Sequence, residues 1–207
     1  MTSPVSWEVA ERVAAWFASG KSPLGSAAIT LDPATERRLH DDFAAFTAKA
    51  EELVVAETGL RPASGPPKAV VVDRAAWARR NISSFRRLLE PVLDKMQGTA
   101  TLPGPLGSAA RATGGAQLGV VLGWMSTRVL GQYDLLLTES DEPDEADLGD
   151  TVAYVGPNIV ALERRHGFDP AQFRLWIALH EVTHRCQFTG VPWLRPYFLS
   201  LVDEVLG

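Results

Sequence analysis

The segment that most constrains the fold is DPAQFRLWIALHEVTHRCQFTG, which occupies residues 169–190. Aspartate followed by proline is typical of a helix start, because the carboxylate accepts a backbone N–H and proline fixes φ at a helical value. Gly190 at the other end is a typical helix stop. The segment therefore predicts a helix from about Pro170 to Phe188.

This predicted helix carries the pentapeptide HEVTH at residues 180–184. His180 and His184 are four residues apart, so their Cβ atoms lie about 5–6 Å from each other, one turn apart. Imidazoles so placed can bind one zinc ion at about 2.0–2.1 Å from each ring nitrogen. Glu181 lies beside this row, where its carboxylate can reach a water on the metal without being a ligand. The pattern predicts a Zn²⁺ site with His180 and His184 as ligands and Glu181 as the catalytic residue.

The apolar pattern of the helix bears on where the histidines point. Residues at steps of three or four form a stripe that we expect to face the core rather than solvent, with both histidines in it. Its members are Phe173, Trp176, Ile177, His180, His184 and Phe188. The alternative is a pair of core histidines that hydrogen-bond to other protein groups. Zinc binding is favoured because burying two imidazoles without partners is costly, and one metal satisfies both.

Three neighbours of the histidines are weaker candidates for the site. Cys186 follows His184 by two residues and should point to a different helix face, so we interpret it as a small buried residue rather than a ligand. Thr183 and Gln187 could hydrogen-bond near the metal.

The remaining chain is predicted to be mostly helical. Helix-start and helix-stop residues bracket apolar repeats in three further segments. They run from about Trp7 to Ser19, from Pro33 to Thr58, and from Asp73 to Met96. A fourth helix is predicted over residues 109–130, where glycines four apart would allow close contact with a neighbouring helix. Residues 69–72 and 151–155 are predicted to be short strands.

Length and composition favour one soluble domain. The chain has 207 residues, of which 46% are hydrophobic and 22% are charged, as in ordinary globular proteins. We predict a single domain over residues 1–207, with a mostly helical part at 1–130 and an acidic linker at 139–150. Residues 151–207 would then contribute a strand, the HEVTH helix and a following helix.

Charge and terminal sequence indicate the cellular setting. The start of the chain has no basic, apolar and small-residue order typical of a secretory signal, so we expect a cytoplasmic protein. The apolar stretch at 112–127 is too short and too polar to span a membrane. The net charge of −5 does not favour nucleic-acid binding. Four arginines, Arg79, Arg80, Arg86 and Arg87, share a predicted helix face, which we interpret as solvated rather than as an anion or partner site.

A wider set of residues resembles a known family. The segments YVGPNI, FRLWIALHEVTHRCQF and VPWLRPY, between Tyr154 and Tyr197, resemble zincin-like zinc-dependent hydrolases. Some members of that family are associated with biosynthesis of the deazaflavin redox coenzyme. The pentapeptide alone is shared by many metallopeptidases, so the resemblance depends on the flanking residues. These are Trp176, Gln187, Phe188, Pro192, Trp193 and Leu194.

The resemblance implies a mainly α, zincin-like fold with a few short strands and HExxH on a buried helix. It further implies that His180 and His184 bind Zn²⁺ and that Glu181 is the general base. The expected reaction is metallopeptidase-like hydrolysis of a peptide or amide bond, with a substrate that the sequence does not identify.

The third zinc ligand has two possible explanations. A catalytic zinc site normally has three protein ligands, and the pentapeptide supplies two. Glu204 lies twenty residues after His184 in a predicted helix, a spacing similar to that of thermolysin-like enzymes. Members of the resembled family are usually longer and have a later Glu-Gly-His segment without a counterpart here. Either Glu204 is the ligand, or the chain is a shortened member that serves as a catalytically incomplete scaffold or partner-binding protein.

Overall fold

The computed structural model describes residues 5–23, 27, 29–63, 65–96, 104–133 and 150–206, apart from the side chains of residues 91–96, 203 and 206. In chain order the elements are α1 (Trp7–Ala18), α2 (Pro33–Thr58), β1 (Lys68–Val72), α3 (Arg74–Met96), α4 (Gly104–Ser126), β2 (Gly131–Tyr133), β3 (Thr151–Val155), α5 (Gly156–His166), α6 (Pro170–Gly190) and α7 (Leu194–Leu206). Helices dominate, and the strands are few and short. The predicted mainly α fold class is confirmed.

Contacts divide the chain into two compact units. The first comprises residues 1–28 and 73–128, and the second comprises residues 29–72 and 129–207. The organisation as a single domain stays a prediction. Of the predicted acidic linker, residues 139–149 lie outside the described residues. In the part of the chain that the structure describes, no helix has the length and apolar character needed to cross a membrane.

In the described part of the first unit, three helices pack together, and glycines allow two of them to approach closely. Gly115, Gly119 and Gly123 of α4 are buried and face α1. A Cβ on Gly119 would lie 2.5 Å from the carbonyl oxygen of Ala10, and one on Gly123 would lie 2.7 Å from the Cβ of Phe17. The absence of side chains at these glycines is therefore a requirement of the packing, as their four-residue spacing predicts.

The four arginines of α3 that are predicted to share one face are divided between two environments. Arg79 and Arg86 are exposed, and Arg86 donates a hydrogen bond of 2.8 Å from Nε to Glu90. Arg80 and Arg87 are half-buried. The interpretation as a solvated face is therefore correct for one pair only, because α3 packs against both other helices of the unit.

The second unit contains a three-stranded sheet with the order β1-β3-β2. Strand β1 is parallel to β3, and β2 is antiparallel to β3 at the other edge. All five residues of β3 are buried, as expected for a central strand. Strands β1 and β3 follow the predictions, whereas β2 was not predicted, because Gly131-Gln132-Tyr133 is short and lacks β-branched residues.

Helices α2 and α6 pack together and cover this sheet. Asp32 caps α2 by accepting hydrogen bonds from the backbone N–H groups of Ala34 and Thr35, as the Asp-Pro pattern predicts. In the core, the rings of Phe43 and Tyr154 stack with centroids 3.9 Å apart. The Tyr154 hydroxyl and Thr47 Oγ1 are 2.7 Å apart, which satisfies both buried groups. This core supports the inward face of α6.

Candidate metal centre

Helix α6 begins and ends close to the predicted residues. Asp169 accepts a hydrogen bond of 2.9 Å from the backbone N–H of Gln172, and Pro170 occupies the first turn. The helix continues to Gly190, so both histidines lie well inside it. Their ring centroids are 4.9 Å apart and the rings are nearly perpendicular. The structure therefore brings His180 and His184 together as the spacing predicts.

The predicted orientation of the histidines is wrong. Both His180 and His184 are exposed, together with Trp176, which has 58% of its surface accessible. The buried face of α6 consists instead of Arg174, Ile177, Ala178, Glu181, Val182, Arg185 and Cys186. The apolar stripe misled because Trp176 is exposed and Phe173 and Phe188 are only partly buried, whereas the arginines on the buried face are paired with carboxylates. Neither histidine is a core residue, so the alternative of satisfied core histidines is also excluded.

Glu181 has an environment unlike that of the histidines beside it. Its side chain is only 8% exposed and packs over Gly131 of β2, where a Cβ would lie 2.7 Å from the Glu181 Cγ. The backbone N–H of Tyr133 donates a hydrogen bond to the carboxylate. Burial raises the pKa of Glu181 to about 7, and the Tyr133 hydrogen bond opposes this effect. The sequence offered one signal for this contact, the glycine at 131, which leaves room for a side chain.

Three neighbours of the histidines take different roles. Gln187 Oε1 lies 3.3 Å from His184 Nδ1, within hydrogen-bond reach. Thr183 donates instead to the Leu179 carbonyl at 2.7 Å, so its hydroxyl is directed along the helix. Cys186 is a buried free thiol, as predicted, and burial raises its pKa.

The described residues fit a zinc ion in part. Two adjacent, exposed imidazoles are donors that zinc prefers. Among residues that the structure describes, however, no group of three histidine, cysteine, aspartate or glutamate side chains is placed to hold a metal. Glu204 is exposed on α7 and does not complete such a group. The described residues therefore offer two candidate ligands on the exposed face of α6, with Glu181 on the buried face beside them, and the third ligand is unassigned.

A large depression in the second unit lies away from the histidines. It has a volume of about 590 Å³ and is lined by residues of α2 and α5 and by the first turns of α6. On its wall, Arg174 donates two hydrogen bonds to Glu163 and one to Asp42. Because these three side chains hydrogen-bond to one another, they are less available to bind a ligand than the exposed histidine pair.

Comparisons with known proteins identify a family and one similar solved structure. The sequence pattern of the zincin-like metallopeptidase family matches residues 5–207. No curated protein matches the chain. A crystal structure from Chloroflexus aurantiacus, described as a "putative hydrolase with a novel fold", is 29% identical, with a TM-score of 0.73. The match covers 98% of this chain and 59% of that one, so this chain spans less than two thirds of that protein. With almost the whole chain matched by the family pattern, the protein belongs to the zincin-like metallopeptidase family.

Proposed function

We propose that this protein is a zinc-dependent hydrolase of peptide or amide bonds, in which His180 and His184 bind the metal and Glu181 is the general base. The observation that carries the proposal is the pairing of two exposed imidazoles with a buried carboxyl group on the adjacent residue. Family membership and the resemblance to the Chloroflexus protein support the hydrolase class.

The contacts of the histidines suit metal binding. If His184 carries its proton on Nδ1 and donates it to Gln187, the lone pair of Nε2 is available to a metal. The ring of His180 lies beside that of Trp176, with the two centroids 6.1 Å apart. Both rings are accessible, so metal and substrate can approach without movement of the core.

A bound zinc ion would supply Lewis acidity toward a carbonyl group and would lower the pKa of water. Glu181 would accept a proton from the attacking water at its carboxylate and deliver it to the leaving nitrogen. Burial raises the pKa of this carboxyl group to about 7 in the metal-free protein, and a bound zinc ion would lower it, which favours the carboxylate that accepts the proton. The hydrogen bond from Tyr133 would hold the ionised carboxylate in place between the two steps.

The other candidate function is a partner-binding scaffold that lacks a complete ligand set. It is favoured by exposed aromatic residues near the histidine pair, directly before α7 and on α7. Trp176, Trp193 and Tyr197 are 58%, 63% and 54% exposed, and large exposed apolar surfaces mark binding sites. The two functions differ in whether the native protein binds zinc. Cytoplasmic location, the absence of nucleic-acid binding and the association with deazaflavin coenzyme biosynthesis stay predictions.

Zinc content tests the proposal. Elemental analysis of protein purified without added metal should give about one zinc per chain, and His184→Ala should lose it. His166→Ala is the matched control, since it removes an exposed histidine of α5 from the same unit. Loss of zinc in Glu204→Ala would identify Glu204 as the third ligand, whereas its retention would place that ligand elsewhere. Native protein without zinc would favour the scaffold.

Activity tests the role of Glu181 separately. Glu181→Gln should abolish cleavage of a mixed peptide library while it keeps its zinc, because the change removes the base and not a ligand. His180→Ala should lose both zinc and cleavage. Unchanged turnover in Glu181→Gln would refute the assigned mechanism.

A further inference from the structure

The charged residues of α6 all point inward, which is the reverse of an ordinary surface helix. Apart from its histidines, the helix contains three charged residues, Arg174, Glu181 and Arg185. They are 7%, 8% and 0% exposed. Charged side chains are rarely buried to this extent unless they are paired, because they lose their hydration. The two arginines therefore require an explanation.

Arg185 directly follows the candidate ligand His184 and connects α6 to three other segments. Its Nε and Nη2 donate to the two carboxylate oxygens of Asp150 at 2.8 and 2.6 Å, just before β3. Nη1 donates to Glu51 of α2, and Nη2 also donates to the carbonyl of Gly65. Hydrogen bonds from this guanidinium to four acceptor atoms thus hold the helix in place beside His184.

The C-terminal part of α6 is also held close to the segment at 61–65. A Cβ on Gly190 would lie 2.5 Å from the Arg61 carbonyl oxygen, so the helix end and this segment are in direct backbone contact. Together with the Gly65 carbonyl, this contact restrains rotation and sliding of the last turns, which carry the histidines.

Arg174 provides an internal comparison. It precedes Arg185 by eleven residues, or about three turns, so both arginines project from the same helix face. Arg174 is similarly buried and is bound by Glu163 and Asp42. It lies six residues before His180, at the opposite end of the helix. If the arginines only stabilise the fold, replacing either should have the same consequences.

We propose that Arg185 is a positioning residue for the metal site, held by Asp150 and Glu51 so that His184 and His180 keep the geometry that metal binding requires. The inference rests on the proposed zinc site. Ligand side chains must be held within about 0.5 Å of the productive geometry. A helix is stiff over a single turn, so an anchor on the residue after His184 acts directly on that ligand.

The test compares Arg185→Lys with Arg174→Lys in the full-length protein. Lysine keeps the charge but cannot make the forked contacts of a guanidinium. Titration with Co²⁺ measures affinity, and the visible d–d absorption of bound Co²⁺ reports ligand geometry, which a change in stability alone would not alter. Urea unfolding of the metal-free variants measures the structural cost of each change.

We expect both variants to lose comparable stability. Only Arg185→Lys should weaken Co²⁺ binding, by about ten- to a hundredfold, and change the spectrum. Arg174→Lys should stay within about twofold of the native affinity. An unchanged affinity and spectrum in Arg185→Lys, or equal losses in both variants, would overturn the inference and leave the zinc site intact. Native protein that does not bind Co²⁺ would overturn the proposed function, and the inference with it.

Milder substitutions cover the case in which the lysine variants fail to fold. Asp150→Asn and Glu51→Gln keep the shape and an acceptor for Arg185 but remove the charge. Asp42→Asn is the equivalent change beside Arg174. Weaker Co²⁺ binding in the first two variants but not in Asp42→Asn would support the inference, and equal binding in all three would contradict it.

Discussion

Helices α4 and α6 have similar lengths, 23 and 21 residues, but they pack in opposite ways. Helix α4 presents buried glycines to α1, so its contact depends on shape and on the absence of side chains. Helix α6 buries three charged residues, so its contact depends on specific polar partners from distant parts of the chain. A contact that depends only on complementary surfaces allows one helix to slide slightly along the other. Hydrogen-bonded arginine–carboxylate pairs, in contrast, fix a helix at one position along its axis. The candidate site lies on the helix that is fixed in this second way.

The largest loss of stability that we expect from removing one of the buried charges of α6 comes from Arg174→Met. Methionine fills much of the space but leaves the carboxylate of Glu163, which is 7% exposed, without its guanidinium. Removing one partner of a buried ion pair costs about 3–5 kcal/mol. Urea unfolding of the metal-free protein measures this loss. The matched control is Arg86→Met, which removes an exposed arginine paired with Glu90 and should cost less than about 0.5 kcal/mol.

The sequence predicts a structural feature when the residues that determine it are neighbours in the chain. The bounds of α6 follow from Asp169, Pro170 and Gly190, which act on their own neighbours, and the glycine ridge of α4 follows from a four-residue spacing. The orientation of α6 could not be predicted in this way. The partners that allow Arg174 and Arg185 to be buried include Asp42 and Glu51, which are 132 and 134 residues away in the sequence, and even Glu163 and Asp150, at 11 and 35 residues, lie outside α6. Without them, both arginines look like surface residues and the aromatic stripe looks like the core.

The same limit applies to the candidate site. The ligand pair and its separation follow from the helical repeat, and the structure brings the two rings together as predicted. The packing of Glu181 against Gly131 could not be foreseen from that glycine alone, because β2 has no sequence pattern of its own. The pKa of Glu181 depends on that packing, so it became apparent only in the folded structure.

The next largest effect concerns the pH dependence of stability in the metal-free protein. The pKa of Glu181 is about 7 in the folded state and 4.5 ordinarily, so ionisation favours the unfolded chain. Below pH 4.5 the Glu181 carboxyl group is protonated in both states and costs no stability. As the pH rises from 4.5 to 7, the contribution of this group to the free energy of unfolding falls. Above pH 7 the loss is constant and amounts to about 3 kcal/mol.

Glu181→Gln removes this ionisation, so the variant should lose less stability than the native protein between pH 4.5 and 7. Urea unfolding at several pH values measures the difference between the two proteins, in which the effects of all other groups cancel. Glu52→Gln, which changes an exposed carboxylate of α2, should follow the native curve. Parallel curves for native protein and Glu181→Gln would show that the carboxyl group is not desolvated as the structure indicates.

A smaller effect is expected from Gly119→Ala in α4. The new Cβ would lie 2.5 Å from the Ala10 carbonyl oxygen and 2.8 Å from the Val13 Cβ, and neither atom can move without its backbone. Overpacking of this kind costs about 1–3 kcal/mol, which outweighs the gain of about 1 kcal/mol in helix propensity. Thermal unfolding measures the change. Gly65→Ala is the control, since its Cβ would meet no atom within 4 Å, and a similar loss there would argue against the ridge.

The smallest effect on the metal-free protein should come from the outward face of α6. His180 is exposed, so His180→Ala should change stability by less than about 0.5 kcal/mol. Zinc at a hundred times its dissociation constant should stabilise the native protein by about 2.7 kcal/mol, and this gain should be absent in the variant. His40→Ala, which changes an exposed histidine of α2, should keep the gain. A large loss in the metal-free variant would mean that the outward face also supports the fold, and the contrast between the two faces of α6 would then fail.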